Sequence, residues 1–183
     1  MRIIGKTKSD KDFFEIFLSQ LLSITGGVIA GTFLLKLIDN IGFLSGFFIL
    51  FPGLLEMHGN IYGSLSARLG NLLILGELKN KKLFILENVK AVLFLSFIVS
   101  FILGLITYLF VYFVFGVDSK IIILISVLSS LFSSIFEIPL TIYFTFLVFK
   151  HNLDPEDIMG PYVTTFGDLI SIISLILVTY ILI

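Results

Sequence analysis

The sequence predicts an all-α integral membrane protein with five transmembrane helices, N-terminus inside and C-terminus outside. Three observations carry that prediction. Of 183 residues, 57% are hydrophobic and only 14% charged, where a soluble domain carries about 25% charged residues. Mean hydropathy is +1.11. Within long apolar runs the polar residues recur three and four apart, the period of one helical face.

Orientation follows from Lys and Arg. Arg2, Lys6, Lys8 and Lys11 precede the first span, and Arg68, Lys79, Lys81, Lys82 and Lys90 follow the second. The turns at Asp39-Asn40 and Asp118–Lys120 are poor in both residues, so the basic segments belong to the cytosol. The first apolar run is too long for a signal peptide and lacks a cleavage-like site. With no cysteine in the chain, disulfides, thiol chemistry and Cys-ligated metals are excluded. There is no Trp, so the interfacial aromatic role falls to Tyr62, Tyr108, Tyr112, Tyr162 and Tyr180. The formal net charge of −1 says little about partners.

Residues 1–15 read as a short polar cytosolic arm and residues 16–183 as the transmembrane domain. The first span covers about Ile16–Ile38, with Ser19, Ser23 and Gly27 on one small-residue face suited to close packing. Asp39-Asn40 turns the chain. The second span starts near Ile41 and runs into FPGLLEMHGNIYGSLSARLG, where Pro52, Glu56, Asn60 and Ser64 fall four apart. Gly53, Gly59 and Gly63 lie beside that face, and residues 67–88 read as a basic loop. The third span, about Val89–Phe115, carries no charge after Lys90; its stripe of Ser96, Ser100, Gly104 and Thr107 reads as packing. The fourth, about Ile121–Phe149, contains Pro139 and a longer stripe of Ser126, Ser130, Ser133, Glu137, Thr141 and Thr145. The fifth runs from about Tyr162 to the end. Thr164, Asp168 and Ser171 share one of its faces, with Ser174 at the edge and Thr179 returning after about three turns.

Asp168 is the residue that most needs an explanation. A carboxylate in an apolar span costs roughly 2.5–3.5 kcal/mol on insertion scales and normally faces a bundle interior or a water-filled path. Thr164, Thr165 and Gly167 flank it. Hydroxyls and free carbonyls around a carboxylate suit a hard cation, and Mg²⁺ binds through one or two carboxylates while keeping several waters. The alternative is a carboxylate that only joins helices. Upstream, Asp154-Pro155-Glu156-Asp157 reads as a helix start, with Asp154 as N-cap and Pro155 in the first helical position. Gly160-Pro161 then reads as a break before Thr164, leaving carbonyls to line an ion site.

Other candidates keep two readings each. Glu137 stands either in a vestibule or in a helix-packing hydrogen bond. Glu56 and Asn60 line the path, or Glu56 sits at a membrane boundary where its charge costs little. His58 reads as a boundary residue rather than a ligand. Enzyme classes are disfavoured. An intramembrane aspartyl protease needs GxGD and a second Asp on a neighbouring span; position 165 is Thr and that second Asp is missing. The Asp cluster of phosphatidyl-transfer enzymes, a Ser-His-Asp arrangement, a P-loop and a dinucleotide-binding glycine pattern are missing too.

Two ordered stretches resemble the MgtE family of magnesium transporters and the related eukaryotic magnesium solute carriers. Phe51-Pro52-Gly53-Leu54-Leu55-Glu56-Met57-His58-Gly59-Asn60 resembles the family's Pro…Gly-Asn signature on the second span, and SLSARLG is similar to its Ala-Ser-Arg-Leu continuation. Asp154-Pro155…Pro161…Thr164-Thr165-Phe166-Gly167-Asp168 resembles the family's Asp-Pro…Pro…Thr-Thr…Asp pattern before and within the fifth span. The resemblance covers about Ile16 to Ile183. It implies a homodimer in a cell membrane, an ion path between protomers and a Mg²⁺ site at Asp168, with Thr164, Thr165 and Asn60 at motif positions and Gly59 beside Asn60. Glu56, Glu137 and Ser171 join the candidate path by helical spacing alone. About fifteen residues precede the first span here, where bacterial members carry large cytosolic magnesium-sensing domains, so no steep shut-off by cytosolic Mg²⁺ is expected.

The function expected is transport of a divalent cation, Mg²⁺ before Mn²⁺ or others, by a multi-pass protein of the cell membrane. Its partners would be the ion, the lipid bilayer and a second copy of the chain, with no nucleic acid. The competing readings are a Na⁺-coupled Mg²⁺ exchanger and a non-transporting scaffold subunit.

Overall fold

The computed structural model describes residues 5–41, 46–76 and 81–183; the side chains of 5–12, 15, 33–41, 81 and 156 lie outside the description. Among the described residues five α-helices run in chain order: α1 Gly5–Ile41, α2 Phe47–Leu75, α3 Lys81–Phe115, α4 Ile121–Lys150 and α5 Pro155–Leu182. Among the described residues there is no strand. Three stretches, Lys82–Phe115, Ile121–Lys150 and Asp157–Leu182, are long and apolar enough to cross a membrane. Ile16–Thr32 of α1 is apolar but shorter. At 35 residues, α3 extends about 52 Å, well beyond the roughly 30 Å hydrocarbon layer.

α5 is the hub. It packs against α1, α2 and α4, whereas α1 touches no other helix among the described residues. Among the described residues α3 packs on α2 and α4 and not on α5. Its outer surface is lined with exposed Phe94, Phe97, Phe101, Ile106, Phe110 and Phe113. Exposed apolar side chains of this number need lipid rather than water around them. The core is built from α2, α4 and α5: Leu50, Leu54, Ile61, Tyr62, Ile122, Ile125, Met159 and Leu175 are almost fully buried.

Small residues let the helices approach. A Cβ on Gly104 would stand 2.9 Å from the Ile123 Cα and from the Ser126 Cβ, so α3 and α4 touch backbone to backbone there. Ser126 Oγ donates across this contact to the Ser100 carbonyl at 2.7 Å. The α3 stripe of Ser96, Ser100, Gly104 and Thr107 is buried throughout. So is the α4 stripe from Ser126 to Thr145. In a low-dielectric interior such hydroxyls need partners, and they find them between helices: Tyr62 with Ser134 at 2.7 Å and Ser66 with Thr145 at 2.9 Å.

Several expected boundaries move. The polar arm is not separate: α1 begins at Gly5 and runs unbroken into the first span. Asp39-Asn40 belongs to the last turn of α1, and the connection falls on residues 42–45, outside the described residues. The basic loop of 67–88 shrinks, because α2 continues through Arg68 to Leu75 and α3 begins at Lys81. Nothing in Ala67–Leu75 breaks a helix, and the stop comes at Gly76, whose φ of 68° is the left-handed cap that glycine adopts without strain. Lys79 lies outside the described residues. On α1 the packing face is Ser19, Gly26 and Ala30 with Ser23 beside them, one residue away from the expected Gly27; Gly27 meets nothing within 4 Å.

Candidate functional site

The fifth helix was expected to break at Gly160-Pro161, and it does not. α5 is continuous from Pro155 to Leu182. Proline lacks an N–H and so cannot satisfy the carbonyl four residues back, which here belongs to Asp157. Ser19 of α1 reaches that carbonyl with its hydroxyl at 3.5 Å. The opened turn is thus covered by a neighbouring helix. The threonine hydroxyls turn back onto the same region: Thr164 and Thr165 donate to the Pro161 carbonyl at 2.9 and 2.8 Å.

One turn further, α5 presents two different sides. The outer side carries exposed Thr164 and half-buried Asp168. Facing them from α2 are exposed Glu56 and Asn60. Asn60 donates Nδ2–H to Glu56 Oε1 at 3.0 Å, and Glu56 is close enough to act electrostatically on Asp168. α2 and α5 run side by side here: a Cβ on Gly59 would meet the Thr164 methyl at 3.4 Å, an ordinary contact. α1 forms the rim through Ser23, whose hydroxyl is 3.4 Å from that of Thr164. Behind it Gly26 packs directly onto the buried Thr165 side chain. The result is an open polar face with two carboxylates, an amide and the two hydroxyls of Thr164 and Ser23, all oxygen chemistry apart from the amide nitrogen. No three His, Asp or Glu converge as a metal cluster among the described residues. A groove of this kind suits a cation that keeps part of its water shell.

The inner side of the same helices holds a second polar group. His58, expected at a membrane boundary, is 1% exposed and packed between α2, α4 and α5. Glu137 is 3% exposed. Ser171 donates to Glu137 Oε1 at 3.1 Å, Ser133 donates to the same oxygen, and His58 Nδ1 lies 3.3 Å from it. His58 Nδ1 also bonds Ser171, and Nε2 bonds Ser130 at 3.2 Å. One set of donors satisfies this chain: Ser130 to Nε2, Nδ1–H to Ser171 and Ser171 to Glu137. Glu137 Oε2 is buried and has no hydrogen-bond partner among the described residues; it faces Gly167, where a Cβ would stand 3.2 Å away.

The candidates therefore separate. Asp168, Thr164, Glu56, Asn60 and Gly59 come together at the groove. Glu137 and Ser171 do not join them; they lie behind α5 with His58. Thr165 lies between, buried against α1. The role of His58 was missed although its spacing signals it, because Leu54, His58, Ile61, Tyr62 and Leu65 form the buried face of α2, opposite Glu56 and Asn60. Two apolar grooves between α4 and α5, of about 310 and 280 Å³, lie elsewhere and carry no ionisable group.

These features define a helical membrane protein with a carboxylate-bearing polar groove. The profile of MgtE, a divalent cation transporter family, matches residues 51–178, from α2 into α5. The chain belongs to this family. No curated protein and no solved structure matches it.

Proposed function

We propose that the protein carries Mg²⁺ across the cell membrane as a homodimer, with the ion path between the two protomers and Asp168 as the central ligand. One observation supports this above the others: the family of divalent cation transporters matches across the segment that brings Asp168 and Glu56 onto one open polar face. Such a face cannot be left to lipid, because polar and charged groups in hydrocarbon need partners or water. A second copy placed about an axis along the membrane normal covers it and brings two Asp168 carboxylates around one path. Thr164, Asn60 and Glu56 then line the path beside Asp168, with Gly59 next to Asn60. Thr165 backs the site against α1, and Glu137 and Ser171 support it from inside.

In this reading the five helices are five spans, with residues 1–15 leading into the transmembrane domain of 16–183. The N-terminus faces the cytosol and the C-terminus the outside. Reporter fusions at Lys81 and Ile183 should then report opposite sides; a shared side rejects the topology. The decisive experiment is Mg²⁺ flux into proteoliposomes of purified protein. Flux that is lost in Asp168→Asn supports the reading. Absence of flux in the wild type, with folded protein in the bilayer, favours a scaffold role.

A further inference from the structure

We propose that the buried His58–Glu137–Ser171 cluster is a positioning element for the ion site, setting the rotation of α5 and its register against α2. The inference rests on the transport reading above and extends it to residues that touch no ion.

The geometry is back to back. His58 lies two residues from both Glu56 and Asn60, and two residues turn a helix by about 200°. His58 therefore points away from the groove while its neighbours point into it. On α5, Gly167 and Ser171 hold the inner side and Asp168 lies between them in sequence. Ser171 is bound by both His58 and Glu137. Gly167 is pressed against Glu137 Oε2, with room for a Cβ only at 3.2 Å. Fixing positions 167 and 171 fixes the direction of 168. The same cluster ties α2 to α5 through α4, so it also sets how far Glu56 stands from Asp168. Ordinary helix adhesion does not require this chemistry. Apolar residues of similar volume commonly replace buried polar groups with no loss of stability. What hydrogen bonds add over apolar packing is direction, and direction is what Asp168 needs.

The test uses Mn²⁺ as the probe, read by its electron paramagnetic resonance on the full-length protein, alongside Mg²⁺ flux at varied concentration. Glu137→Gln keeps the shape and the hydrogen-bonding oxygen and should weaken Mn²⁺ binding clearly less than Glu137→Leu does. Glu137→Leu removes the hydrogen bonds and keeps the bulk. It should weaken Mn²⁺ binding about tenfold, the range seen when groups that orient ligands are lost. The half-saturating Mg²⁺ concentration should rise in step, with maximal flux and thermal midpoint changing far less. The double variant His58→Leu/Glu137→Leu should be no worse than Glu137→Leu, since both act through one cluster. If Glu137→Leu fails to fold, Gly167→Ala takes its place, because its methyl displaces Glu137 by only a few tenths of an ångström. Wild-type Mn²⁺ binding in Glu137→Leu, or in Gly167→Ala where that variant stands in, overturns the positioning role while leaving transport intact. A wild-type protein that neither binds Mn²⁺ nor conducts Mg²⁺ overturns the transport reading, and the positioning role falls with it.

Discussion

Asp168 and Glu137 are both carboxylates set in apolar helices, and both sit on stripes with three- and four-residue spacing. Their surroundings differ in kind. Glu137 is 3% exposed and has two serines and a histidine around one oxygen. Asp168 is half-buried and receives no hydrogen bond or ion pair among the described residues; the charges that act on it are those of other acids, Glu56 on the groove side and Glu137 behind. One Glu137 oxygen is satisfied within the chain, while the other has no hydrogen-bond partner among the described residues. Asp168 and Glu56 repel each other. A half-buried and an exposed acid set side by side in a membrane protein attract a positive charge that relieves their repulsion.

That contrast is broken or kept most clearly by Asp168→Asn. The amide has the same shape and no charge, and the low dielectric near the site enlarges what the charge contributes. Mg²⁺ flux should fall by at least about a hundredfold, equivalent to roughly 2.7 kcal/mol. The thermal midpoint should stay level or rise, because repulsion with Glu56 is relieved. Flux near wild-type levels with unchanged ion preference would remove Asp168 from the centre of the site.

Glu56→Gln tests the other half of the groove. Asn60 can still bond the side-chain oxygen, so the local geometry survives. Only the second negative charge is lost, and its position is the more exposed one, where screening is greater. Half-saturating Mg²⁺ should rise about three- to tenfold, with a smaller effect on maximal flux. An effect as large as that of Asp168→Asn would mean that the two acids form one ligand set.

How much of this was legible in the sequence depends on which physical cue was used. Periodicity located α4 to within a residue and placed Ser126 through Thr145 on one buried face, because burial inside a bundle selects small polar residues at helical spacing. It grouped Thr164 with Asp168 correctly and added Ser171, which the structure turns inward. A shared face spans more than a quarter turn, and only the neighbouring helices decide which part of it is covered. The same limit hid His58: its spacing with Leu54, Ile61 and Tyr62 marks a buried face, but the acid partner sits on another helix. Gly160-Pro161 misled because proline removes one hydrogen bond without ending a helix whose neighbour, Ser19, can reach the carbonyl. The charge of Arg68 suggests an end to the span, yet α2 carries it on an exposed face.

The polar pairs of the interior should affect stability rather than flux. Tyr62 is fully buried and its hydroxyl is held by Ser134 at 2.7 Å. Ser134→Ala takes that partner away and should cost about 1–3 kcal/mol, measured by thermal or denaturant unfolding in detergent. Flux per folded protein should remain within about twofold. A selective loss of flux at unchanged stability would show that the division between groove and interior is drawn in the wrong place.

Ser96→Ala should do least. Ser96 is as buried as Glu137, yet it sits on α3, which packs on α2 and α4 and makes no contact with α5. A change there reaches Asp168 only through an intervening helix, and α3 and α4 are already locked by the close approach at Gly104 and the Ser126–Ser100 bond. Removing one hydroxyl leaves a gap smaller than a water molecule, so neighbouring side chains lose a few weak contacts and no helix has reason to move. Half-saturating Mg²⁺ and maximal flux should both match the wild type within error, and the thermal midpoint should shift by no more than a few degrees. A clear change in half-saturation would mean that the ion site is tuned by the whole bundle rather than by the helices that touch α5.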